Sequence, residues 1–294
     1  MMYRTDLALE AAAAFGGGQE GYTVRREAFS GRSAVTVEIR TPEAAERLQK
    51  PMGKYCTIEL PPFSDAVDPE GKGEALIAKK LREMLPAQGE ILVMGLGNRS
   101  LTADALGPKT ADRVLATRHI REELARVAGL ENLRPVAVSS PGVLGITGIE
   151  TAEILRSLVQ ELQPAAVVAV DALAAMDLHR MGRTVQLSDS GIAPGSGVGN
   201  CRPRLDQDSM GVPVIGVGVP TVVDGMTLAA GLLHLDETER ERLEPLAAFP
   251  PLTVTVREVD LLIARAASMV GMAINRALNP QVDRQIFLEL TEGT

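Results

Sequence analysis

Two acids stand where hydrolytic chemistry can be done. Asp104 closes the run Gly95-Leu96-Gly97-Asn98-Arg99-Ser100-Leu101-Thr102-Ala103-Asp104, and Asp171 follows the apolar run Ala166-Val167-Val168-Ala169-Val170. Each opens the tripeptide Asp-Ala-Leu, whose small middle residue leaves room for a substrate or a metal ion to approach. Two carboxylates brought together share a proton and activate water, or hold a cation that does so. The same residues also read as ordinary caps, Asp104 at a helix N-terminus and Asp171 on a turn after its strand. A weaker third acid, Asp224, ends Pro220-Thr221-Val222-Val223-Asp224.

The other candidate positions are loops whose backbone can come close to a ligand. Gly97 and Asn98 lie in the turn before Asp104, and Gly191, Gly195, Ser196 and Gly197 lie in the glycine-rich stretch from Ser188 to Asn200. That stretch is too rich in glycine for regular structure and suits a peptide cleft as well as it suits a surface loop. The run from Pro141 to Gly148 is a binding loop or a helix cap. A dinucleotide fingerprint fails at its third glycine, where Ser100 stands. His119, His179 and His234 are isolated, Cys56 and Cys201 lie outside any CxxC pattern, and Gly195-Ser196-Gly197 lacks the strand that a nucleophile elbow needs.

These residues need a scaffold, and the apolar pattern supplies one. The short runs Ile91–Met94, Val136–Val138, Ala166–Val170 and Pro213–Val217 read as strands buried on both faces, alternating with helices at Gly107–Thr117, Ile149–Gln163 and Val259–Ala277. In such sheets functional groups gather at the carboxyl ends of the strands. Before them come a short helix over Asp6–Phe15, broken at Gly16-Gly17-Gly18, and a hairpin over Gly21–Arg40. A helix over Thr41–Gln49, a strand over Lys54–Leu60 and an amphipathic helix over Glu70–Leu85 follow. The expected architecture is three-layer α/β/α with a mostly parallel central sheet and a small N-terminal β element. One domain spans 7–294, divided into an N-terminal element, 7–85, and the main sheet, 86–294.

With 45% hydrophobic residues, 3% aromatic and no Trp, the core must be packed by aliphatic side chains. A formal charge of −8 argues against direct nucleic-acid binding. The N-terminus lacks the pattern of a secretory signal, and no long apolar run suggests a membrane partner. Cysteine usage fits a reduced cytoplasm.

Gly95-Leu96-Gly97-Asn98 with Thr102–Pro108, Val170-Asp171-Ala172-Leu173, the Ser188–Asn200 loop and Pro220–Asp224 together resemble the spore germination proteases. Arg4-Thr5-Asp6-Leu7-Ala8 and the segment from Gly53-Lys54-Tyr55 to Leu60 extend the likeness through nearly the whole chain. The resemblance implies a self-processing endopeptidase, made as a zymogen and usually a homotetramer. Its substrates would be the small acid-soluble proteins that coat DNA in the spore core, degraded at germination. Family members cut after Glu or Asp, before a hydrophobic residue and then Ala. Asp6-Leu7-Ala8 has that form, which places the processing site between Asp6 and Leu7 and makes 1–6 a pro-segment. The Gly-x-Gly-Asn turn leading to an acid is also similar to the hydrogenase maturation proteases, which carry carboxylates at the positions of Asp104 and Asp171 and complete a metal site with a His. No His here follows a strand in the matching way. The expectation is therefore an acid pair of Asp104 and Asp171, with no cofactor required. Gly97, Asn98, Gly191, Gly195, Ser196, Gly197 and Asp224 are expected to bind substrate. A metallopeptidase using the same acids and a non-catalytic peptide-binding protein of the same fold are the rival readings.

Overall fold

The computed structural model describes residues 4–15, 20–64, 68–120, 132–199, 202–233, 235 and 251–292. The glycine break at 16–18, and with it Asn200, Cys201 and His234, lies outside them.

Strong local signals set the first elements. Helix α1 (Ala8–Phe15) is followed by strands β1 (Tyr22–Phe29) and β2 (Arg32–Ile39), paired antiparallel as a hairpin. Helix α2 (Pro42–Leu48) starts where Thr41 accepts a hydrogen bond from the Ala44 N–H and Pro42 presets the first turn. Strand β3 (Gly53–Glu59) pairs with β2. Asp68 then accepts the N–H groups of Gly73 and Glu74, two of the otherwise orphaned donors at the start of helix α3 (Lys72–Met84).

The alternating part follows. It comprises β4 (Ile91–Gly95), α4 (Leu106–Ala111), β5 (Val136–Ser139), α5 (Leu144–Thr147), α6 (Thr151–Leu162) and β6 (Ala166–Ala175). Then come β7 (Thr184–Ser188), α7 (Gln207–Met210), β8 (Val214–Asp224), α8 (Gly225–Leu232), β9 (Thr253–Val254), α9 (Val259–Leu278) and α10 (Arg284–Glu292).

The nine strands of the described residues form one sheet in the order β1-β2-β3-β7-β8-β6-β4-β5, with β9 beside β8. The parallel character is confined to the block β5-β4-β6-β8. The small N-terminal β element extends the same sheet, because β3 bonds antiparallel to β7 and β7 to β8. Every residue of β8 is buried, as expected of a strand covered on both faces.

One layer packs α3, α4 and α9 on Ile58, Val93, Val168, Val170 and Ile215. The opposite layer brings Leu155 and Val159 of α6 onto Leu92, Val167 and Ala169. Over the hairpin, α1 and α2 cover Val35, Val37 and Tyr55. Helix α9 is 20 residues long with a mean hydropathy of 1.3 in its most apolar window, and 67% of that window is buried inside the protein. Its apolar face is thus already occupied by the core.

Two boundaries differ from the sequence reading in a way that matters. Strand β6 runs to Ala175, which places Asp171 inside the strand, and β8 runs to Asp224, past Pro220-Thr221. Strand ends read from apolar runs stop at a polar residue such as Asp171 or near glycine and proline as at Gly218 and Pro220, whereas ladder bonding between β6 and β8 carries both strands further.

Candidate active site

Asp171 pairs in register with Gly218 of β8, near the middle of the sheet, and is only 4% exposed. Its face is that of Ala169 and Leu173, the face that also receives Leu7. Asp104 arrives from the neighbouring loop. The end of β4 is fastened to β6 by the Leu96 N–H donating to the Val170 carbonyl at 2.8 Å, one residue before Asp171. The chain then turns through Gly97 and Asn98 into a short 3₁₀ turn, Thr102–Asp104. Thr221 of β8 holds that turn by donating its hydroxyl to the Ala103 carbonyl at 2.8 Å.

Gly97 has φ +110°, and a Cβ there would lie 2.1 Å from the Asp104 carbonyl oxygen, so only glycine lets the loop fold back on the acid. The Asn98 N–H donates to Asp104 Oδ2 at 2.7 Å. Gly97 and Asn98, expected to bind substrate, therefore position Asp104. The cap reading of Asp104 also falls away, since its side chain makes no cap bond to α4, which starts after Ala105.

The two acids differ in environment. Burial, then the negative charge of Asp104, then that of Asp6, push the Asp171 carboxyl well above the ordinary carboxylate range, against one bond from the Ala172 N–H. Asp104 is half-buried and raised by that burial, an effect opposed by the Asn98 N–H. The pair therefore favours a proton on Asp171 beside a more readily ionised Asp104. As metal donors the two offer carboxylates alone. Among the described residues no group of three or more His, Cys, Asp or Glu is arranged to hold an ion, and both oxygens of the nearby Asp6 are engaged elsewhere.

The N-terminal segment lies across this site. The Asp6 N–H donates to the Ala174 carbonyl, and the Ala174 N–H donates back to Asp6 Oδ2, both at 2.8 Å. Ser196 donates its hydroxyl to Asp6 Oδ1 at 2.5 Å. Lys50 donates to the Thr5 carbonyl at 2.7 Å, and Gln186 donates to the Asp6 carbonyl at 2.9 Å. Leu7 is fully buried, and Thr5 bonds to Glu10 in the first turn of α1. Glu10 in turn accepts the N–H groups of Met176 and Asp177 at the end of β6.

The glycine loop closes over the segment. A Cβ on Gly197 would come within 2.4 Å of both the Ala174 Cβ and Asp6 Oδ2, so the loop's approach to Asp6 requires the missing side chain. Gly195, with φ +72°, starts the 3₁₀ turn that presents Ser196. Gly191 instead serves the bridge between Ile192 and Leu205 and borders a cavity of about 50 Å³ beside Asp6. Lys50, Tyr55 and Arg204 also line that cavity, and burial pushes the Tyr55 hydroxyl up to about 12. Asp224 stands apart from the acid pair. Its Oδ1 caps α8 by accepting from Thr227, and its Oδ2 faces Arg4 at 3.6 Å.

Sequence reasoning passed over Lys50, Ala174 and Gln186. Gln186 alone carried a faint signal, as the polar centre of the alternating Thr184-Val185-Gln186-Leu187-Ser188. His119 lies in a turn and His179 in a short 3₁₀ helix, and Cys56 is buried as a free thiol raised chiefly by that burial.

The sequence pattern described as Germination protease matches residues 16–236. A germination protease of Caldanaerobacter subterraneus subsp. tengcongensis is 38% identical, over 94% of this chain and 94% of its own. One from Clostridium tetani is 36% identical over 96% and 97%, and one from Priestia megaterium 33% identical over 91% and 89%. Among solved structures, a [NiFe] hydrogenase maturation protease from Thermococcus kodakarensis KOD1 aligns with 66% of this chain and 98% of its own, at a TM-score of 0.37 and 16% identity. Matched along most of its length by relatives above one-third identity in two of these cases, the chain belongs to the germination protease family, a family of peptidases.

Proposed function

We propose that this peptidase is an aspartic-type endopeptidase, made as a zymogen, that cuts itself between Asp6 and Leu7. It then acts on small acid-soluble spore proteins at germination. The supporting observation is where the N-terminal segment lies. Asp6 is gripped by backbone and carboxylate on the strand that carries Asp171, near enough for its charge to raise that acid. The segment occupies the position a substrate would take.

Hydrolysis then follows from the two environments. Ionised Asp104 takes a proton from water as the water oxygen bonds to the Asp6 carbonyl carbon. The C–N bond breaks as the Leu7 nitrogen takes the proton held by Asp171, leaving a carboxyl group on Asp6 and an amine on Leu7. Proton transfer from Asp104 to Asp171 restores the pair. The cavity beside Asp6 leaves space for one more methylene, so a glutamate fits the same position, with Lys50 and Arg204 lining the wall it would meet. Assembly as a homotetramer and action in the spore core belong to the same reading and rest on the family resemblance.

The test is the intact mass of wild type, Asp104→Asn and Asp171→Asn after incubation at mildly acidic pH, with and without a chelator. The expected result is loss of Met1 to Asp6 from wild type alone, unaffected by chelator, with each variant slowed by at least about 10³-fold. Processing blocked by chelator would select a metallopeptidase. Processing by both variants would remove the acid pair from the chemistry, and absence of any peptide product in all three would favour a binding protein.

A further inference from the structure

Gln186 is a buried polar residue of β7 whose two side-chain groups are both spent on the N-terminal segment. Its Nε2 donates to the carbonyl oxygen of Asp6 at 2.9 Å, and its Oε1 accepts from the Ala8 N–H at 2.8 Å. The two bonds straddle the Asp6–Leu7 peptide. With 1–6 cut away the Nε2 donor would lose the Asp6 carbonyl, a costly state for a buried group unless another peptide carbonyl replaces it, and a second peptide would meet Oε1 only where the new N-terminus at Leu7 and Ala8 has moved aside.

The sheet register sets its relation to the acids. Gln186 pairs with Gly218, and Gly218 pairs with Asp171, so the three form one row across β7, β8 and β6. Paired residues point to the same face, and two strand spacings separate the outer Cα atoms by about 10 Å. The middle position has no side chain, and a Cβ there would collide with the Leu173 side chain at 2.4 Å. The row therefore sets an amide and an acid on either side of a glycine whose missing side chain makes room for Leu173.

Given the cut between Asp6 and Leu7 proposed above, we infer that Gln186 is a catalytic residue of this peptidase. It would hold the peptide backbone on both sides of the scissile bond and donate its Nε2–H to the carbonyl oxygen as that oxygen becomes an oxyanion. The donor is already aimed at the atom where charge develops, and such donors are worth about 10²–10³ in kcat. The acceptor end engages the second residue after the bond through its N–H, a contact that any residue other than proline can make. Gln186 thus fixes register independently of side-chain identity, while Ser196 and Ala174 engage the acid before the bond.

The experiment compares processed wild type and Gln186→Met on a peptide carrying Glu-Leu-Ala, and on the same peptide with an ester in place of the Leu–Ala amide, which deletes the N–H that Oε1 accepts. Gln186→Met is expected to lower kcat about 10²–10³-fold with cleavage still after the acid, and the ester is expected to weaken wild type only. Wild type that handles amide and ester alike, or a Gln186→Met enzyme with unchanged kcat, overturns the assignment to Gln186 while leaving the cut site standing. If Gln186→Met does not fold, the ester comparison with wild type decides alone. Mass analysis of wild type locates the self-cut independently. A cut elsewhere than Asp6–Leu7 removes the reading beneath the inference, and the inference with it.

Discussion

At the scale of single residues, Asp171 is the group whose state is least like that in water. Its carboxyl is held above the ordinary range first by burial and then by two neighbouring acids, so the folded chain binds the proton more tightly than the unfolded chain does. For a group raised in this way, the stabilising contribution is whole below the unfolded value near 3.8 and is lost as pH rises through the folded value. Replacing Asp171 with Asn keeps the shape and removes the titration. In an Asp104→Asn background, which prevents self-cleavage, adding Asp171→Asn is expected to flatten the fall in melting temperature with rising pH. The gap between the two variants should be smallest near pH 3.8 and widen above it, as read by thermal denaturation across a pH series. Equal slopes in the two variants would mean that Asp171 is not held protonated by the fold.

At the scale of elements, the site depends on a loop and a helix that grip the same short segment. Gly197→Ala puts a methyl group within 2.4 Å of the Ala174 Cβ and of the Asp6 carboxylate, so either the loop or Asp6 must move. Displacement of about 1 Å at a reacting centre costs roughly 100-fold, and self-processing followed by mass spectrometry is expected to slow to that extent. Helix α1 is anchored by Glu10, which accepts the N–H groups of Met176 and Asp177 and bonds to Thr5. Glu10→Ala leaves those donors without their acceptor. Measured by urea unfolding in the Asp104→Asn background, the loss is expected to be about 1–3 kcal/mol.

At the scale of the whole molecule, the site stands on a sheet clamped by α9. Ile263 is fully buried in the core that joins α3, α4 and α9 to the central strands. Ile263→Ala is expected to destabilise the protein by about 2–5 kcal/mol without changing the position of the self-cut. Denaturant midpoints and intact mass report the two halves of that expectation.

The strands Ile91–Gly95 and Ala166–Val170 were legible because buried parallel strands are written as unbroken apolar runs, and α9 because its apolar face repeats at the helical period. Asp171 was legible because it directly follows such a run, and Asp104 because it closes the glycine-bearing turn after another. Strand β7 was missed, since its alternating polar and apolar residues give a weak signal over five positions. With it went Gln186 and the link by which the hairpin joins the main sheet.

What the sequence determined by itself was local: most of the segments that are strand or helix, the two acids that lie beyond apolar runs, and the Asp6-Leu7-Ala8 signature. Only tertiary structure decided that the charges of Asp104 and Asp6 reach Asp171, and that Asp224 caps a helix and meets Arg4. Those relations depend on strand order and register, which bring residue 6 against residue 174 and residue 186 into one row with 171. Periodicity along the chain encodes which face a side chain takes, but it carries no information about which distant strand will lie alongside.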